Sequence, residues 1–124
     1  MRAPEPLHGV RVVAAPAVLD ALVWADGAAP LRLAPDDLFA LGAAGAEVAG
    51  ALVEDETGFA GWWLTPAELH EQVLEHIDWP LPAARPALAQ GLIAGVPARL
   101  WLSADRILLF TAAAYAHELM DRLP

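Results

Sequence analysis

The tightest local constraint in this sequence is Thr65-Pro66-Ala67-Glu68. Thr65 stands where a helix N-cap belongs and Pro66 takes the first helical position. Glu68 takes the third, from which a carboxylate reaches back to the cap. A helix must begin here. Before it, residues 59–64 (Phe-Ala-Gly-Trp-Trp-Leu) read as a buried strand. After it, Leu69, Val73, Leu74 and Ile77 recur at helical spacing, with Glu68, Glu71, Gln72, Glu75 and Asp78 on the other side. Trp79-Pro80-Leu81-Pro82 then stops the helix and forces an extended segment. The unit 59–79 is therefore strand, turn and amphipathic helix. Trp62 and Trp63 are neighbours on the strand, so they face opposite sides of any sheet they join.

The remaining chain is arranged around this unit. Residues 9–15 and 21–25 read as strands, the second ended by Asp26-Gly27. Leu31-Arg32-Leu33 alternates into a turn at 34–37, and 38–41 resumes as a short strand. The spacing of Val48 and Leu52 among small alanines predicts a helix over 43–53, and 54–58 reads as an acidic loop. Residues 88–94 and 96–102 are two apolar runs joined at Gly95. Ser103-Ala104-Asp105 is a turn residue set, 106–110 is a strand, and Thr111 is placed to cap a last helix over 112–123. That helix would bury Tyr115, Ala116, Leu119, Met120 and Leu123. The fold class is α+β, one domain over 1–124. A β-rich half lies at about 9–53 and a βαββα half of ferredoxin-like grammar at about 59–123, with room for one more strand. The sheet is mostly antiparallel and covered by two to three helices.

Composition narrows the function. The chain has no cysteine, which removes disulfides, thiolate metal sites and cysteine nucleophiles. It has no lysine, which removes Schiff-base chemistry and a P-loop lysine. A net charge of -9, with the arginines spread from Arg2 to Arg122, argues against nucleic acid and anionic membrane surfaces. Residues 1–9 lack an apolar core for a signal peptide, and the longest apolar run is too short to span a bilayer. A cytoplasmic location is expected. The mean hydropathy of +0.42 is high for a small soluble domain, and a surplus of large apolar side chains implies a partner that covers some of them.

No candidate for chemistry passes the test of spacing. His70 and His76 are six apart, so one helix cannot bring them to one metal. His70 belongs to the apolar stripe and is expected in the core, whereas His76 is expected at the surface. His117 and Asp121, and likewise Glu71 and Glu75, are four apart on polar helix faces and read as solvated charges. Gly42 and Gly45 give only a fragment of a dinucleotide-binding glycine pattern. Ser103 has no histidine partner in its neighbourhood and reads as a turn residue. No catalytic, cofactor-binding or metal-binding residue is therefore assigned. The residues expected at a partner interface are Trp62, Trp63, Trp79, Pro80 and Trp101, with the helix exit at Trp79-Pro80 foremost.

Several segments carry a family resemblance: residues 31–38 (Leu-Arg-Leu-Ala-Pro-Asp-Asp-Leu), the central unit, and Ile77-Asp78-Trp79-Pro80-Leu81. The ending, through Gly95-Val96-Pro97, 105–110 and Tyr115-Ala116-His117-Glu118-Leu119, continues it. Together they resemble the small gamma subunit of heterotetrameric sarcosine oxidases, which is related in fold to the folate-binding aminomethyltransferase-type domain. The resemblance implies a non-catalytic accessory subunit of a flavin-dependent amine oxidoreductase complex. FAD, FMN, NAD and folate would sit on the larger subunits and none on this chain. A subunit of a related methylamine-degrading complex and a stand-alone folate-binding one-carbon-transfer protein are the alternatives.

Overall fold

The computed structural model describes residues 1–45 and 47–124. Among the described residues, seven strands form an antiparallel sheet architecture with three short helices, an α+β arrangement that is mostly sheet. The chain divides into two compact units, Leu7–Thr57 on one hand and Met1–Pro6 with Gly58–Pro124 on the other.

In the first unit, β1 (Glu5–Val13) leads into helix α1 (Pro16–Asp20), followed by β2 (Ala29–Ala34) and β3 (Asp37–Leu41). Strand β3 pairs antiparallel with both β2 and β1. Alternation puts Val10 and Val12 of β1 beside Leu38 and Ala40 of β3 on one buried face, where Leu19 of α1 joins them. At the opposite side of β1, Arg11 lies between two carboxylates. Its Nε and Nη2 donate to Asp37 at 2.6 Å each, and its Nη1 donates to Glu56 at 2.7 Å. The Asp37 hydrogen bonds raise the guanidinium pKa above its ordinary value, and Glu56 adds to the effect. Only a planar guanidinium makes this two-pronged contact. Arg11→Lys should therefore lower stability by about 1–2 kcal/mol, read as a shifted urea midpoint at unchanged slope.

Three expectations fail in this unit, each for a physical reason. Residues 16–20 form a helix because Pro16 opens it, and 21–25 do not pair with any strand. Leu22 and Trp24 still pack on the Val10–Leu38 cluster while Val23 is 96% exposed, so the period-two pattern is real but has no ladder behind it. Of the helix expected over 43–53, residues 43–45 and 47–48 have no regular structure, and position 46 lies outside the described residues. Gly50 at φ +77° closes a turn instead. The acidic loop at 54–58 is in fact part of β4 (Leu52–Leu64), a 13-residue strand whose first residues are largely wet.

The second unit is built on the later part of β4. Helix α2 (Pro66–Gln72) follows and tightens into a 3-10 turn at Leu74–His76. Strands β5 (Ala87–Ile93), β6 (Val96–Leu102) and β7 (Ile107–Ala112) come next, and a second 3-10 turn leads into helix α3 (Ala116–Arg122). The strand order is β4-β7-β6-β5, with antiparallel neighbours throughout. The extra strand for which the sequence left room is thus present, and the first strand of the unit pairs with the last. Ala94 and Gly95, both at positive φ, make the two-residue turn between β5 and β6. Trp62, Leu64, Leu69, Val73, Ile93, Leu100, Leu102, Leu109, Leu119 and Leu123 form the core on one face of this sheet.

The capping box is as the sequence demands. Thr65 Oγ1 accepts from the Glu68 N–H at 3.1 Å, and Glu68 Oε1 accepts from the Thr65 N–H at 3.0 Å. Thr65→Ala should cost about 1 kcal/mol in urea or thermal unfolding. The backbone N–H of Thr65 is the main cause holding the Glu68 carboxyl below its ordinary value of 4.5, helped by the Thr65 hydroxyl and Arg2. A depressed folded pKa stabilises above the unfolded value and loses that contribution as pH falls through the folded one. Glu68→Gln should therefore flatten the acid limb of stability below 4.5. A Glu68→Gln protein whose urea midpoint falls as steeply as the wild type's in that range would contradict the assignment.

Thr111 does not cap the last helix. It continues β7, is 1% exposed, and donates its hydroxyl to the Pro97 carbonyl at 2.7 Å. The helix is delayed to Ala116, and Tyr115 turns outward at 46% exposure instead of joining the core. His70 is exposed as well. The helical stripe is carried by Leu69 and Val73, four apart, and His70 lies one step round from it.

Candidate functional site

The residues considered from sequence do not come together in one cluster. Adjacent on β4, Trp62 and Trp63 face opposite ways. Trp62 is 1% exposed within the helix-covered core, and its indole N–H donates to the Arg2 carbonyl at 2.7 Å. It has no surface to offer a partner, which corrects its place among the expected interface residues. Trp63 is half-buried on the other face. The Arg106 guanidinium stacks 4.1 Å from its ring centre, and Arg2 donates to its carbonyl oxygen.

The strand register puts Trp63, Leu108, Trp101 and Leu88 side by side across β4, β7, β6 and β5. Trp63 and Trp101, both half-buried, therefore share a face, whose middle is closed: Leu108 between them and Phe110 in the next row are each 0% exposed. The neighbouring row contains Gly61, Phe110, Arg99 and Gln90. Phe59 meets Phe110 edge-on at 5.5 Å, and the Arg99 guanidinium lies 5.7 Å from the Phe59 ring centre while its Nε donates to Gln90 Oε1 at 3.2 Å.

At the end of this face lies a shallow depression of about 340 Å³ lined by Gln90, Gly91, Leu92, Pro97, Ala98, Arg99, Ala112 and Tyr115. Leu92 is 55% exposed. The depression offers apolar walls, one guanidinium and one amide, a combination suited to seating a side chain. Sequence reading missed it because Leu92 looks like a core residue in an apolar run and Tyr115 like part of a buried helix stripe. Neither residue's solvent exposure has a local sequence signal.

Trp79 is not a free anchor. It is half-buried on the core side, stands against Gly91, and its indole N–H donates to the Leu92 carbonyl at 2.9 Å. Pro80 beside it is exposed. The five expected interface residues thus fall in three places: Trp62 inside, Trp63 and Trp101 on one face, and Trp79 with Pro80 at β5.

The histidine and carboxylate pairs stay apart. His76 is half-buried, and its carbonyl accepts from the Ala94 N–H at 2.9 Å. His117 and Asp121 are exposed on α3, where the ion pair is Arg122 to Glu118 at 2.5 Å. Glu71 and Glu75 are exposed. Among the described residues, no group of three or more His, Asp or Glu side chains could hold a metal ion. Ser103 serves its turn, its hydroxyl donating to the Arg106 carbonyl at 2.6 Å. Among the described residues no helix is long and apolar enough to cross a membrane. Compared with known proteins, the chain matches no family model, no curated protein and no solved structure.

Proposed function

We propose that this chain is a non-catalytic accessory subunit that works in the cytoplasm by stabilising larger subunits of a multi-subunit flavin-dependent amine oxidoreductase. The observation that carries this reading is the amount of large apolar side chain left in water. Val23 is 96% exposed, Leu52 70%, Leu92 55% and Tyr115 46%. Side chains of this kind at the surface suit coverage by a partner. The sarcosine oxidase gamma-like segments supply the type of partner, with FAD, FMN, NAD and folate placed on the other subunits.

The test is co-expression of the tagged full chain with the large flavoprotein subunits of an amine oxidoreductase complex of this kind. A complex of fixed stoichiometry with flavin absorbance is expected, weakened at least tenfold by Leu92→Asp with Tyr115→Asp. A chain that stays a lone monomer in the presence of those subunits would overturn the proposal. So would tight binding of a reduced folate by the isolated chain, which belongs to a folate protein acting alone.

A further inference from the structure

The hairpin of β5 and β6 combines two features that rarely coexist safely. β5 is the edge strand of its sheet. Residues 86–98, Pro-Ala-Leu-Ala-Gln-Gly-Leu-Ile-Ala-Gly-Val-Pro-Ala, contain no charge in a chain of net charge -9. Edge strands usually carry charges, prolines or bulges that stop them pairing with another copy.

The direction of the free backbone groups follows from the register. Leu92 stands opposite Pro97, which has no N–H to give, and the Pro97 carbonyl is turned toward β7, where it accepts from Thr111. Leu92 and Pro97 are thus a non-hydrogen-bonded pair, so the Leu92 N–H and carbonyl point out from the edge. The indole bond from Trp79 to that carbonyl agrees. Period two extends the same direction to Gln90 and Leu88. An antiparallel copy placed on a two-fold axis at Gln90 would pair Gln90 with its own equivalent and Leu88 with Leu92 of the other copy. The side chains brought together would be uncharged, so the repulsion that a net charge of -9 otherwise imposes would be least here.

Trp79 stands in the way. Its indole lies where a Gly91 side chain would begin, 2.6 Å from the position of a Cβ, and its N–H occupies the Leu92 carbonyl. The 3-10 turn before it is tied to the hairpin through the bond from the Ala94 N–H to the His76 carbonyl. Both outer pairs of the two-fold arrangement need Leu92, so one indole per copy leaves only the central Gln90 pair.

We infer that Trp79 is an edge guard, a side chain folded over β5 that prevents the chain from pairing with a second copy through Leu88, Gln90 and Leu92. Gly91 is the residue that makes room for it. This inference is independent of the proposed subunit role.

The test is the mass of the full chain by light scattering over a concentration series. Trp79→Ala and Gly91→Ala, the second dislodging the ring without deleting it, should each give about twice the wild-type mass. Adding Gln90→Lys to either should return it to the wild-type value, because two ammonium groups would meet on the axis. A folded Trp79→Ala or Gly91→Ala protein that keeps the wild-type mass would overturn the inference, as would doubling that survives Gln90→Lys. Wild type gives a check that needs no variant. Its Trp79 indole N–H should exchange with deuterium more slowly than a free indole, and exchange at the free rate would also refute the guard.

Discussion

Gly61→Ala is expected to be among the most damaging single substitutions in the chain. Gly61 lies in β4 opposite Phe110 of β7. A Cβ there would stand 2.1 Å from the Leu109 carbonyl oxygen, 2.8 Å from the Phe110 Cβ and 2.9 Å from its Cα. Two of these three atoms are backbone, so no rotamer change relieves the overlap. The strands must separate, and the ladder running from Phe59–Ala112 to Leu64–Ile107 weakens with them. Overpacking ordinarily costs about 1–3 kcal/mol. Added loss of cross-strand bonds brings the expectation to about 3–4 kcal/mol, measured as a lower urea midpoint. Gly91→Ala is the useful contrast. Its nearest contacts all belong to the movable Trp79 indole, so its cost should be less than half as large.

What was legible in the sequence is what depends on neighbours along the chain. The Thr65–Glu68 cap, the opposed faces of Trp62 and Trp63, and the bounds of β6 all follow from residues within a few positions of one another. The errors share a different cause. Residues 21–25 have a strand's pattern without a strand, because pairing depends on β1 and β2 finding β3 elsewhere. A helix running on to Ile77 would turn His70 inward with Val73, Leu74 and Ile77; the α-helix stops at Gln72, and Leu69 with Val73 define the buried stripe. The place of the Trp79 ring likewise depends on a distant part of the chain. Its neighbours Asp78 and Pro80 suggest exposure, and only Gly91, twelve residues away, shows where the ring goes.

The two adjacent tryptophans separate stability from surface most directly. Trp62 is enclosed by the helix-covered core, so Trp62→Ala should cost about 3–5 kcal/mol. Trp62→Phe keeps most of the volume but removes the N–H that meets the Arg2 carbonyl at 2.7 Å. It should cost about 1–2 kcal/mol, through partial underpacking and one lost hydrogen bond. Trp63→Ala removes a half-buried ring and its contact with Arg106, and should cost about 1–2 kcal/mol. Urea unfolding of the three variants gives the order directly. If Trp63→Ala proved as costly as Trp62→Ala, the Trp63 ring would carry as much of the fold as the Trp62 ring does. If the expected order holds, Trp63 has side-chain area whose loss the fold tolerates. That is the condition for a residue whose substitution can test binding without unfolding the chain.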